Sequence, residues 1–206
     1  MIQTKKGIPA MKRMMLILLA FVILCSCALA ETAEKTVYDF DDFTIEWNAE
    51  TPCKKGDKVE GQPYLDIFPA GDNTADAYPH FNVVWSSASA DIEKITDKEL
   101  EELAREYEAE VSSKFEAEEL KISRLDITEY DKNMVDGKPA LYLKALMRID
   151  YSGMGEQYEG VVRDLIMCQW VVYPENKGCY TFTGTAVSQQ DISRWILPLM
   201  DSIRWK

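Results

Sequence analysis

The chain has 206 residues, 35 acidic and 23 basic, and its formal net charge at pH 7 is −12. This charge repels phosphate backbones, and the only adjacent basic pair beyond residue 30 is Lys54-Lys55, so a general nucleic-acid-binding role is excluded. The single histidine and the lack of a Cys-x-x-Cys pair beyond that point predict no metal site, and nothing in the composition calls for a cofactor.

The first thirty residues have the pattern of a cleavable signal peptide. Lys12 and Arg13 precede an apolar run over residues 14–25, and the small-x-small sequence of residues 28–30 ends at Ala30, directly before Glu31. This arrangement predicts cleavage between Ala30 and Glu31. The apolar run is short for a bilayer span, so a retained anchor helix is the less favoured alternative.

Leu24-Cys25-Ser26-Cys27 approximates a bacterial lipobox, with Cys27 as the residue that would carry the lipid. Two outcomes stay open: free secretion after cleavage at Ala30, and a lipid anchor at Cys27. Either one places the chain outside the cytoplasmic membrane, with membrane contact only through the signal or the lipid. The sequence also leaves open whether translation starts at Met1 or at Met11.

Residues 31–206 predict a single domain, because no linker, charge block or repeat divides them. Their net charge is −16, since residues 1–30 contain four of the basic residues and none of the acidic ones. Two amphipathic helices are indicated by their start signals. Thr96 and Glu99 form a capping box before the first, and Ser188 and Asp191 form the equivalent pair before the second.

Alternating apolar residues and turn signals predict the strands. Asp136-Gly137 is a turn signal between two long strands. The apolar alternation changes face between Ile122 and Leu125, which predicts a bulge there. The predicted strands cover residues 43–48, 64–68, 81–85, 120–130, 141–149, 158–173 and 178–186. Strands, a helix, more strands and a last helix follow in order, which predicts an α+β fold with a mainly antiparallel sheet of about six to seven strands packed by two helices.

The last hairpin sets the positions of two cysteines. If Tyr173 faces Cys179 across the turn, Cys168 lies opposite Gly184 and one face of the hairpin becomes consistently apolar. Cys168 and Cys179 then point to opposite faces and cannot bond to each other. A disulfide would have to use Cys53, with Cys179 as the better partner; three thiols without a disulfide are the alternative.

Three segments together resemble the PsbP-like α/β/α sandwich family. They are the Gly-Lys-Pro-Ala turn at residues 137–140, the strand Cys179-Tyr180-Thr181-Phe182-Thr183, and the capped helix that ends in Asp201-Ser202-Ile203-Arg204-Trp205. The family includes exported bacterial members such as the DcrB and LpqN lipoproteins, and the similarity of pattern spans about residues 37–205. The resemblance implies the sandwich fold and a non-enzymatic binding or assembly role, without implying a particular partner.

No catalytic set is apparent. His80 is the only imidazole and lies at a strand start, which is typical of a satisfied or solvated histidine. The sequence therefore predicts an exported, non-enzymatic binding or assembly module of a bacterial cell envelope, whose partner is another protein of the envelope or extracellular space. The proposed contact regions are the more polar sheet face and the loop at residues 151–157. The oligomeric state stays open.

Two alternatives depend on the surplus of acids. One is a secreted hydrolase that uses a pair of acidic residues across a cleft. The other is a calcium-dependent module in which Asp39, Asp41 and Asp42 supply ligands, although the Gly and distal Glu of an EF-hand loop are missing.

Overall fold

The structure, a computed structural model, describes residues 35–48, 51–69, 78–115, 121–175 and 177–206. The chain divides into two compact units at residue 35, and apart from Lys35 everything described here belongs to Thr36–Lys206. The predicted signal segment, Cys27 and the Ala30–Glu31 cleavage site lie outside the described residues and stay predictions.

The described part of the chain forms ten strands and two helical segments of the α or π type. The strands are β1 (Lys35–Asp39), β2 (Phe43–Asn48), β3 (Cys53–Lys55), β4 (Pro63–Ile67), β5 (His80–Ser86), β6 (Lys121–Val135), β7 (Lys138–Asp150), β8 (Val162–Val172), β9 (Cys179–Ala186) and β10 (Arg204–Trp205). Helix α1 spans Asp97–Phe115. Helix α2 runs without a break through Gln189–Asp191, a π-helical turn at Ile192–Ile196, and Leu197–Asp201.

The strands form two sheets. The larger has seven strands in the order β3-β4-β5-β9-β8-β7-β6, and each of its pairs is antiparallel. The smaller has the order β1-β2-β10 and joins the end of the chain to β2. The predicted α+β class is confirmed, and the large sheet has seven strands as predicted. The predicted strand at residues 43–48 lies in the small sheet instead, and that sheet and the short strands β1, β3 and β10 were not predicted.

Local sequence signals explain where the helices begin. Thr96 Oγ1 accepts a hydrogen bond from the Glu99 amide at 3.3 Å, and Glu99 Oε2 accepts one from the Thr96 amide at 2.7 Å. The Asp191 amide donates to Ser188 Oγ at 3.1 Å in the same way. Both predicted caps are confirmed. No helix in the described ranges is both long and apolar enough to cross a bilayer.

The two helices lie on opposite faces of the large sheet. Leu100 and Tyr107 of α1 belong to clusters that contain Leu141, Met147 and other residues of one face, here called the α1 face. The other face, here called the α2 face, forms the main core. Its members include Phe43, Ile45, Leu65, Phe81, Trp170, Tyr180, Phe182, Ile196 and Leu199. The small sheet and α2 together cover this core.

The predicted register of the last hairpin is confirmed, since Cys168 lies opposite Gly184. The predicted Cys53–Cys179 disulfide is not formed, and Cys53, Cys168 and Cys179 are free thiols. Strands β4 and β5 separate β3 from β9, so three interstrand spacings of about 4.8 Å lie between the two residues. A disulfide needs Cα atoms within about 7 Å, so the topology itself excludes this bridge.

Candidate binding surface

The α1 face changes from apolar to polar across the sheet. One row of directly opposed residues runs Asp66, Asn82, Thr183, Gln169 and then Leu143, from β4 to β7. Leu143 is buried beneath α1, whereas the four polar side chains are half-buried. Opposed residues point to the same face of an antiparallel sheet, so these side chains form one continuous surface.

Two further rows follow the same rule. His80 on β5 lies opposite Thr185, which lies opposite the buried Met167. In the other row, Thr181 lies between Val84 and Val171. The polar residues lie on β4, β5, β8 and β9, whereas α1 packs against the apolar residues of β6 and β7. We call this region the polar surface and define it as Asp66, His80, Asn82, Gln169, Thr181, Thr183 and Thr185.

A stacked group of side chains forms the outer edge of the polar surface. His80 Nε2 lies 3.1 Å from Asp66 Oδ1, and both side chains are about one quarter exposed. The His80 ring stacks on Phe68 with centroids 5.0 Å apart, and the Lys54 ammonium lies 5.3 Å from the centroid of the same Phe68 ring. Phe68 is itself buried, so it fixes the position of His80 from below.

The rest of the polar surface presents neutral hydrogen-bonding groups. Gln169 Nε2 donates to Thr183 Oγ1 at 3.1 Å, which orients the amide toward the neighbouring strand. Asn82 adds a second amide, and Thr181 and Thr183 add hydroxyl groups. Amides and hydroxyls both donate and accept, so this arrangement can bind a polar partner at several points.

The acidic turn between β1 and β2 is neutralised by lysines. Asp42 Oδ2 lies 2.5 Å from Lys58 Nζ, Asp42 Oδ1 lies 3.3 Å from Lys177 Nζ, and Asp42 also accepts a hydrogen bond from the Tyr180 hydroxyl. Asp39 forms an ion pair with Lys206. These ammonium groups take the places that a cation would need, so the geometry does not support the calcium alternative. Within the described residues, no group of three or more His, Cys, Asp or Glu side chains is placed to hold a metal ion.

The same contacts shift two titrations. Burial acts to raise the pKa of Asp42, but the hydrogen bonds from Lys58, Tyr180 and Lys177 outweigh it and lower that pKa to about 2. Burial raises the pKa of Tyr180, and its hydrogen bond to Asp42 raises it further. Asp42 therefore serves as a fixed anion that holds together the β1–β2 turn, the loop carrying Lys58, and β9.

One groove, between α1 and the edge strand β6, is lined by acids from both elements, although Glu129 and Asp131 lie opposite Lys144 and Tyr142 on the α2 face. Its cavity volume is about 460 Å³, and its walls include Glu101 and Glu108 from the helix and Glu129 and Asp131 from the strand. Glu101 pairs with Arg105 and Glu129 pairs with Lys144, and the side chains of Glu101 and Glu129 are more than half exposed. A general acid needs a desolvated carboxyl group, which this open, cation-paired groove does not supply.

The loop after β7 differs from the prediction. Tyr151, proposed as an exposed contact residue, is only 2% exposed, and its hydroxyl lies 2.6 Å from that of Tyr78. The loop forms two short 3₁₀ turns, Ser152–Met154 and Glu156–Tyr158, and the Gly160 amide donates to Ser152 Oγ. The Met154 side chain lies outside what the structure describes. Tyr151 thus belongs to the core beneath α1 and is removed from the candidate contact residues.

No protein-family model matches the sequence, and no curated protein is significantly similar to it. The solution structure of cyanobacterial PsbP (CyanoP) from Synechocystis sp. PCC 6803 superposes with a TM-score of 0.53, at 7% sequence identity, over 86% of this chain and 96% of that one. The fold is PsbP-like.

A second solved structure is PA94, a protein of unknown function from Pseudomonas aeruginosa. It covers 78% of this chain and 88% of its own length at 15% identity, with a TM-score of 0.32, which is too low to carry an argument. The PsbP-like fold agrees with the sequence resemblance, and at 7% identity this agreement concerns the fold alone.

Sequence reasoning found the threonines and Gln169 of the polar surface but missed its edge. The predicted register of the last hairpin puts Gln169, Thr181, Thr183 and Thr185 on its more polar face, and the structure confirms that register. Asp66 and Asn82 were missed because the register of β4 against β5 cannot be read from either strand alone. The signal that could have found the edge is the alternation His80-Phe81-Asn82-Val83, in which the polar residues point to one face of the strand and the apolar residues to the other.

Proposed function

We propose that this protein is a non-enzymatic binding module that recognises another protein through the polar surface. The observation that carries the proposal is the composition of β9, which lies between two other strands yet presents three threonines on one face. A strand that is covered on both faces is normally apolar throughout, whereas an antiparallel sheet can leave one face in contact with water. Here Thr181 and Thr183 are half-buried and Thr185 is buried, and the face is rich in donors and acceptors, which suits recognition.

Charge and chemistry define the kind of partner. Lys54, Asp66 and His80 lie together at the edge, and the remaining groups are neutral amides and hydroxyls. The partner is therefore a protein surface that offers hydrogen-bonding groups, and its binding depends only weakly on ionic strength. A nucleic acid is not favoured, because a chain with a net charge of −12 repels phosphates.

The proposed location follows from the N-terminal segment alone. A signal peptide that ends at Ala30, or a lipid on Cys27, would place the domain outside the cytoplasmic membrane, as secreted or lipid-anchored protein. The partner is then a protein of the cell envelope or extracellular space. Mass spectrometry of the native N-terminus tests this: a chain that begins at Glu31 or at a lipidated Cys27 supports export, and an uncleaved N-terminus refutes processing at either residue and leaves the retained anchor helix.

Site-directed photocrosslinking tests the binding surface. A photoreactive phenylalanine analogue replaces Asn82 in one chain and the exposed Glu102 of α1 in a matched control, and both are expressed in the native host. We expect a discrete protein adduct from position 82 that is absent from position 102, and we expect Asp66→Ala to weaken it. Adducts of equal yield at both positions, or none at position 82, would refute the proposal.

The hydrolase alternative rests on the groove between α1 and β6, whose lining includes Glu108, Glu129 and Asp131. If the protein were such a hydrolase, Glu129→Gln would abolish its turnover of a panel of glycans and esters. Glu102→Gln, on the exposed side of α1, would leave the turnover unchanged. Absence of turnover by the wild-type chain on the whole panel would remove this alternative.

A further inference from the structure

The α2 face carries an exposed apolar patch on strands that α2 does not cover. Leu146 on β7 is 42% exposed, although β7 lies between two other strands of the sheet. Its direct cross-strand neighbour on β8 is Ile166, and Val187, at 50% exposure, lies beside them. The three side chains line a shallow cavity of about 230 Å³. Scattered apolar residues are ordinary on a surface, but neighbouring ones around a cleft mark a contact region.

Ion pairs surround this apolar centre. Lys144 and Arg148 flank Leu146 along β7, and Lys144 Nζ lies 3.3 Å from Glu129 Oε1. Arg148 Nη1 lies 3.6 Å from Asp164 Oδ1. A third pair joins two residues of β6, Arg124 and Asp126, and Asp126 lies directly opposite Leu146. We call the three apolar residues and these three pairs the Leu146 patch.

The Leu146 patch has a formal charge of zero on a chain with a net charge of −12. Two copies of so acidic a chain repel each other over most of their surfaces, so they can approach only where the local charge is balanced. A contact between two identical patches would bury apolar side chains at the centre and set equal numbers of opposite charges at the rim. These are the features of a two-fold interface, in which the same surface is used twice.

We propose that the Leu146 patch is the interface of a dimer formed by two copies of this chain. The paired state of its cations argues against an anionic ligand, because each guanidinium or ammonium group already has a carboxylate partner. The small apolar centre gives a weak dimer, in the micromolar range or above. The inference goes beyond the proposed function, since the Leu146 patch and the polar surface lie on opposite faces of the sheet. A dimer would therefore carry two polar surfaces, and bivalent engagement would raise its avidity for a partner that presents two copies of its site.

Analytical ultracentrifugation tests the dimer. The protein is purified from cells that express the full chain, after those cells have carried out any processing of its N-terminus. Across micromolar to submillimolar concentrations we expect a monomer–dimer equilibrium for the wild type. Leu146→Lys should weaken dimerisation at least roughly tenfold, because two ammonium groups would meet at the apolar centre. The matched control is Met134→Lys, at a residue that is 58% exposed on β6 and outside the patch, with the same change in charge.

Met134→Lys should dimerise at least as well as the wild type, because one added positive charge lowers the repulsion between acidic chains. Both side chains are exposed, so both variants should keep the wild-type melting temperature, which checks that each is folded. A wild type that stays monomeric over the whole range, or a dimer that Leu146→Lys and Met134→Lys change equally, would overturn the proposal.

Discussion

Gly184 is expected to be intolerant of even one methyl group. It lies on β9 beneath the π-helical turn of α2, and a Cβ atom built on it would lie 2.1 Å from Ile196 Cγ2 and 3.1 Å from Ile196 Cβ. Carbon atoms pack at about 3.5–4.0 Å, so Gly184→Ala requires a displacement of more than 1 Å between strand and helix. Ile196 is fully buried and cannot turn away into solvent.

Overpacking of this kind costs about 1–3 kcal/mol, and we expect Gly184→Ala to lie at the upper end because the strand and the helix both resist movement. Ile196→Ala alone should cost about 3 kcal/mol, through lost burial and the cavity that it leaves. In the double variant the new methyl group occupies part of the space left by the isoleucine. The cost of Gly184→Ala should therefore fall close to zero in the Ile196→Ala background.

Equilibrium unfolding in urea, monitored by tryptophan fluorescence, measures the four free energies of this double-mutant cycle. A coupling energy of at least about 1 kcal/mol is expected. Costs that add to within about 0.5 kcal/mol would show that the two side chains do not compete for the same space. That result would refute the close approach of α2 to β9.

Three further predictions concern stability and thiol chemistry. Because the pKa of Asp42 is depressed from 3.8 to about 2, its carboxylate stabilises the folded state by roughly 2 kcal/mol above pH 4, and this contribution is lost as the pH falls toward 2. Asp42→Asn should remove the contribution, so the free energy of unfolding of this variant should change less with pH in that window. Thr96→Ala should destabilise the protein by about 1 kcal/mol in the same assay, and recovery by Thr96→Ser would separate the cap from packing. Peptide mapping without reduction should find both Cys53 and Cys179 as free thiols. Cys53 should be alkylated first because it is the more exposed of the two, and a peptide that links them would contradict the topology.

The parts of the fold that the sequence predicted are those set by short-range chemistry. The Thr96 and Ser188 caps are satisfied within three residues, so the sequence contains both partners of each bond. The Asp136-Gly137 turn has positive φ at both residues, +48° and +76°, which the Asp-Gly pair favours. The predicted bulge near Ile122 appears as a register shift between Ile122 and Arg124.

The parts that were missed depend on contacts between distant segments. Strand β10 exists because it pairs with the distant β2, with Trp205 opposite Phe43. The Trp205 indole also donates to the Val135 carbonyl at 2.9 Å, and the Trp205 amide donates to Asp136 Oδ2 at 2.8 Å. Two residues at the end of a chain carry no periodicity that could reveal such a strand. The Asp66–His80 pair is likewise set by the register of β4 against β5. The error over Cys53 and Cys179 has the same origin, because strand order is a property of the whole sheet.

The polar surface and the buried region beneath α1 are two parts of the same residue rows. In the central row the residues change from Thr183 through Gln169 to Leu143 within three neighbouring strands, and α1 lies over the apolar end. Replacing the threonines of β9 by valine would extend the apolar area without disturbing the main core, which is packed by the alternate residues Tyr180 and Phe182. The chain therefore contains less buried apolar surface than its topology allows. A sheet face that gives up possible apolar burial in this way is expected where the surface must stay hydrated to bind a partner. This is the physical reason for proposing the recognition site on β9 and not on either helix.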